Sequence, residues 1–127
     1  MTDILFLDAT DQLKALLTRQ ISARELLDAA VARTNALNAR LNAVVSRDLD
    51  RAYATATRID DRRARGEGLG PLAGLPMTVK DALDVEGLPA SAGDKSLLDR
   101  KAEDALVVRR VRSCGAAIKM RIQRQSG

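Results

Sequence analysis

The sequence predicts an α/β fold in which N-terminal helices pack on the first strand, helix, strand portion of a larger mixed sheet. Three observations predict it. Ser22 followed by Glu25, ahead of Leu26, Leu27, Ala30, Val31, Thr34 and Leu37 at helical spacing, is a capping box opening an amphipathic helix. Gly70, Pro71, Gly74 and Pro76 then close a turn, after which Met77 to Val79 form a short apolar run, the pattern of a buried strand. Finally Val107, Val108 and Val111 lie on one face of a helix stopped by Gly115, and Ala116 to Ile118 enter a second strand. Strand, helix, strand in this order reads as a right-handed parallel unit.

Taken in order, the chain first offers Asp8 or Thr10 as the cap of a short helix with Leu13, Leu16 and Leu17 on its apolar face, ending near Gln20. The capping-box helix follows, with Asn38 as a left-handed cap. Leu41 to Val45 reads as a short extended segment. A third helix runs from about Asp48 and carries Leu49, Ala52, Tyr53, Ala56 and Ile59. Its far end, RIDDRRARGEG, interleaves Asp60, Asp61 and Glu67 with arginines and reads as a solvated helix end and loop. Beyond the turn and strand, residues 94–101 are polar and turn-like. Glu103 and Asp104 open the last helix, with Arg109, Arg110 and Arg112 at its end, as the helix dipole favours. The tail KMRIQRQSG has no apolar periodicity.

The stretch from Gly70 to Gly93, GPLAGLPMTVKDALDVEGLPASAG, is where chemistry concentrates. It delivers Lys80 and Asp81 at the carboxyl end of a strand, which is where open α/β sheets place function. On its own, Lys80 reads equally as a solvated strand-end lysine paired with Asp81 or Asp84. The order GPLAG, short apolar strand, VKD, DVEGLP and SAG resembles the amidase signature family of serine hydrolases, including the amidase-like component of tRNA-dependent amidotransferases. That resemblance implies a truncated amidase-signature fold and hydrolysis of carbon–nitrogen amide bonds by a Ser, cis-Ser, Lys triad, with Lys80 as the base. Such a lysine must be neutral to act, and burial favours that form. It would draw a proton through the bridging serine from the nucleophile, with the oxyanion held by backbone N–H groups. The family places both serines in a Gly- and Ser-rich loop downstream of the lysine. Here the serines are scattered singly, with no Gly-Gly-Ser-Ser run, and Ala82 stands where many members have asparagine. The expectation is therefore one partial domain: a helical part at 1–69, the signature stretch and strand, helix, strand unit at 70–118, and a tail outside the family pattern at 119–127. Only the lysine of the triad is present, so Lys80 is expected to stay solvated and protonated, and the chain to be inactive alone.

Composition narrows the remaining choices. With no histidine and one cysteine, Cys114, the 127 residues hold no Ser-His-Asp triad, Cys-His pair, disulfide framework or usual zinc spacing. No cofactor or metal is expected, and Cys114 reads as core packing. One Phe, one Tyr and no Trp leave alanine and leucine to build the core, which limits the apolar area available for burial. The opening MTDILFLDAT is too acidic and too briefly apolar for a secretory signal, so a cytoplasmic location with no membrane partner is expected. All 17 acids lie before residue 105, and six of the 21 basic residues lie after it, so the formal charge of +4 is an end effect. That basic end supports a competing reading, a small binding protein for nucleic acid or an acidic partner, which the lack of interleaved aromatics disfavours. The partner the resemblance implies is a small-molecule amide in the complete family. Exposed strand edges would favour self-association.

The tail suggests a disrupted reading frame. Residues 119–127 can be encoded as AAG ATG CGA ATA CAG CGG CAG TCG GGG. Read from the third base of the Met120 codon, that string gives Ala-Asn-Thr-Ala-Ala-Val-Gly, similar to the run that follows the second strand in the family. The genomic DNA tests this. The alternate frame is expected to run past the stop codon into a Gly- and Ser-rich loop, and the absence of such a loop in every frame would discard the idea.

Overall fold

A computed structural model of the chain describes residues 3–41, 44–80, 104 and 106–122. A 3-10 turn, Ile4–Phe6, leads into helix α1, Ala9–Leu17. Asp8 caps α1 by accepting the Asp11 N–H at 2.8 Å. Of the three leucines expected on its apolar face, Leu16 is wholly buried and Leu13 is half-buried, but Leu17 is 73% exposed. Neighbouring positions on a helix diverge by about 100°, and here Leu16 takes the inward direction. Arg19 ends the segment in the left-handed region, with φ of 60°.

Helix α2, Ala23–Leu41, opens on the capping box the sequence announces. The Glu25 N–H donates to the Ser22 hydroxyl at 3.0 Å, and the Ser22 N–H donates back to the Glu25 carboxylate at 3.1 Å. The remaining free amides of that turn are met from a distance. The Ala23 and Arg24 N–H groups donate to the two carboxylate oxygens of Asp60, at 2.8 and 3.1 Å. Leu26 and Leu27 are wholly buried and Val31 nearly so. Asn38 does not end the helix. Ala39, Arg40 and Leu41 are good helix formers and carry it three residues further.

Because α2 takes Leu41, strand β1 is Val44–Arg47, later than the sequence suggests. Helix α3, Leu49–Ala64, buries Ala52, Ala56 and Ile59 as its spacing predicts. At its far end Arg65 pairs with Glu67 at 2.8 Å, and both side chains are largely exposed, in keeping with a solvated end. Strand β2 is Pro76–Lys80, helix α4 is Leu106–Ser113 and strand β3 is Ala117–Ile122. On α4, Val108 is buried and Val111 half-buried, but Val107 is 51% exposed. The three do not share one buried face.

The sheet has the order β1-β3-β2, with β3 parallel to β2 and antiparallel to β1. β3 runs on to Ile122, past the point where the apolar pattern stops, because its backbone is paired on both sides. Ala117 and Ile118 are adjacent, face opposite sides of the strand, and are both buried. Both faces of the sheet are thus covered at this level, as parallel strands require. The core joins Leu16, Leu26, Leu27 and Ile59 to small residues, Ala23, Ala52, Ala56 and Ala73. Among the described residues no helix is long and apolar enough to cross a membrane, and no further strand flanks β1 or β2.

Two substitutions test how this frame is held. A Cβ at Gly70 would lie 2.4 Å from the Cys114 carbonyl oxygen, whereas one at Gly68 meets nothing within 4 Å. Gly70→Ala is expected to cost about 1–3 kcal/mol in urea denaturation, and Gly68→Ala to stay within about 0.5 kcal/mol. Equal stability of the two would show that the approach at Gly70 does not constrain the fold. Asp60→Ala, which frees two amides of α2, is expected to cost about 1–2 kcal/mol in the same assay, with Asp60→Asn losing less.

Candidate functional site

The turn at residues 70–75 fixes where β2 begins. The Leu72 N–H donates to the Cys114 carbonyl at 2.8 Å, and the Gly74 N–H donates to the Gly115 carbonyl at 3.0 Å. In return the Ala117 N–H donates to the Leu75 carbonyl at 2.9 Å. These bonds join the turn before β2 to the turn before β3, so the two strands start abreast. Pro76 pairs with Ala117 and Lys80 with Ile122, with one register shift between Met77 and Thr78. The shift leaves Lys119 as an extra residue on β3, so β2 runs unbroken to Lys80. On the other side of β3, Val44 is also paired with Ile122. Lys80 therefore stands at the carboxyl end of the parallel pair, the position expected of it.

Asp81, Ala82, Asp84 and the rest of the signature stretch to Gly93 lie outside the described residues. So do Ser91, Ser96 and Ser126. Two described serines are engaged elsewhere, Ser22 in the capping box and Ser113 through its hydroxyl, which donates to the Arg110 carbonyl at 2.7 Å. Cys114 is a free thiol, half-buried rather than core, in the turn that receives Leu72. Among the described residues no group of three acidic, Cys or His side chains could hold a metal ion.

The basic end of α4 divides. Arg109 and Arg110 are exposed, but the Arg112 side chain is only 15% exposed, with its Nε 2.9 Å from Asp104 and an Nη 3.9 Å from Asp48. Burial pushes the Asp48 carboxyl above its usual value, while Arg51 and Arg112 pull it down. Arg112 thus ties α4 to the start of α3, and a sequence pattern of three arginines could not single it out. Nor could it single out Asp60, whose partners are 37 and 36 residues away. Two hollows are lined by α1, the start of α2, the end of α3 and the Gly70 turn, not by β2. Concavity and the strand end coincide in neither of them.

Comparison with known proteins bears directly on this arrangement. The model of the Amidase family matches residues 25–122, from the first turn of α2 to the last residue of β3. The chain is 39% identical over 119 residues to the amidase-like component, GatA type, of the glutamyl-tRNA(Gln) amidotransferase of Salinispora tropica, covering 93% of this chain and 24% of that protein. It is 43% identical over 99 residues to the AtzE component of 1-carboxybiuret hydrolase from a Pseudomonas species, covering 76% of this chain and 22% of that one. Among solved structures, the native peptide amidase from Stenotrophomonas maltophilia superposes with a TM-score of 0.86 at 30% identity, over 92% of this chain and 24% of that one. The chain spans about a quarter of the length of the relatives it matches. Together with the match over residues 25–122, this establishes that the chain belongs to the amidase family.

Proposed function

We propose that this chain is the N-terminal portion of an amidase-signature hydrolase acting on carbon–nitrogen amide bonds, with Lys80 as the base of a Ser, cis-Ser, Lys triad. The observation that supports it best is the placement of Lys80 at the carboxyl end of a parallel strand, inside the family match and in register with β3. A base at that point can draw a proton only from a hydroxyl presented to it. The 127 residues contain no paired-serine, glycine-rich run to present one. The nucleophile, the bridging serine and the oxyanion donors belong to the part of the family pattern that the chain does not span. On this reading the polypeptide alone carries the base and its scaffold but no reaction. The family's small-molecule amide is the substrate of the complete enzyme, and a cytoplasmic setting is part of the same proposal.

The alternative of a nucleic-acid-binding tail loses one of its cations, because Arg112 is paired with Asp104 and Asp48. Assay of the purified chain on simple aliphatic and aromatic amides, beside Lys80→Ala, decides. The expected outcome is no turnover above background in either protein, since a general base contributes roughly two to four orders of magnitude only when it has a proton to accept. Turnover in the parent chain that Lys80→Ala abolishes would overturn the reading.

A further inference from the structure

Arg63, near the end of α3, has no acid to pair with among the described residues, although two acids line a hollow of about 200 Å³ beside it. Both are committed to the first turn of α2. Asp60 accepts the Ala23 and Arg24 amides, and Glu25 accepts the Ser22 amide. Meanwhile Nη1 of Arg63 is buried and has no hydrogen-bond partner. A buried guanidinium N–H without an acceptor is costly enough that it points to an acceptor supplied from outside the chain.

Arg63 also walls a second hollow, of about 390 Å³, with Leu13, Leu17, Leu69, Pro71 and Lys14, and no acid lines it. Leu17, turned out of the core and 73% exposed, forms part of its apolar side. The volume falls in the range of small-molecule sites, where apolar walls and a few polar groups hold one ligand. Two cations beside apolar walls, in a hollow that no acid lines, select for a ligand of opposite charge with an apolar body. We propose that this groove binds a small carboxylate carrying a short alkyl or aryl body. The carboxylate accepts from the Arg63 guanidinium, which can engage two oxygens at once, and from the Lys14 ammonium at the rim. The body lies against Leu13, Leu17, Leu69 and Pro71. A neutral ligand of the same shape leaves Nη1 unpaired and is rejected for that reason. The site is separate from the strand end that carries Lys80, so it stands whether or not the chain has hydrolytic ancestry in use.

The test is a methyl NMR titration of the full chain with sodium octanoate, with octan-1-ol as the neutral counterpart. Octanoate is expected to give saturable shifts at the methyls of Leu13, Leu17 and Leu69, and octanol to bind about ten- to hundredfold more weakly. Arg63→Gln should bring octanoate down to the level of the alcohol. Leu17→Glu, at an exposed position, should abolish binding with helix content retained. Absence of saturation, equal binding of acid and alcohol, or full octanoate affinity in folded Arg63→Gln would each overturn the proposal. If Arg63→Gln does not fold, the alcohol comparison and Leu17→Glu decide alone. Shifts of the same methyls with protein concentration, in the absence of octanoate, would assign the groove to a second copy of the chain and likewise overturn it.

Discussion

The structure depends on a backbone clasp between the turn at 70–75 and the turn at 114–117. Its three hydrogen bonds, from Leu72 to Cys114, from Gly74 to Gly115 and from Ala117 to Leu75, join segments far apart in sequence and are made entirely by the main chain. Parallel pairing has no hairpin to set its register. Here the clasp does that work, bringing Pro76 opposite Ala117 before the strands begin. Backbones this close leave no room for side chains. A Cβ at Gly70 would meet the Cys114 carbonyl, and Gly74 sits at φ 87° with the Cβ of Ala23 only 2.8 Å from where its own would stand. The glycines of GPLAG are thus a steric condition of the sheet rather than a flexible joint.

The same turn rests on the start of α2, which links the clasp to the helical layer. Ala23 lies against Gly74, while its N–H and that of Arg24 are held by Asp60 from α3. One short region therefore receives the strand turn, the helix cap and the end of α3 together. A core rich in alanine suits such close approaches. Ala15, Ala23, Ala52, Ala56, Ala73, Ala116 and Ala117 are all buried, and each contributes little apolar area. Stability then rests more on satisfied backbone groups and on the four large buried residues, Leu16, Leu26, Leu27 and Ile118. This is the physical reason that single main-chain contacts count for much here.

Much of this is legible in the sequence, and the parts that are not have a common cause. The capping box at Ser22 and Glu25, the Ala52, Ala56, Ile59 face of α3, the strand before Lys80 and the stop at Gly115 all follow from local rules of spacing and turn chemistry, and the structure contains each of them. Asn38 misleads because a residue that tolerates the left-handed region does not require it when good helix formers follow. Periodicity alone turns Leu17 and Val107 inward, but each has a buried neighbour, Leu16 or Val108, that takes the single inward direction. Asp60 and Arg112 look like solvated charge because their partners, Ala23 and Asp48, are distant along the chain. For Lys80 the residue pattern defines the strand and the end of the strand. The chemical role comes from the motif around it, and periodicity alone cannot supply one.

A base needs two things that this fold separates, a position and a surrounding. Position comes from the clasp. Once Leu75 and Ala117 are joined, the parallel register carries the chain to Lys80 opposite Ile122, and nothing beyond residues 25–122 is needed to define it. The surrounding is another matter. A lysine gives up its proton near neutral pH only when water is excluded and a partner hydroxyl is supplied, and a strand end at the limit of a three-stranded sheet offers neither from its own backbone. On the proposed reading, the scaffold can therefore place the base without activating it. Activation comes from whatever covers the carboxyl end of β2 and β3. A family that divides the task in this way can keep the clasp unchanged while the covering segment, which meets the substrate, varies.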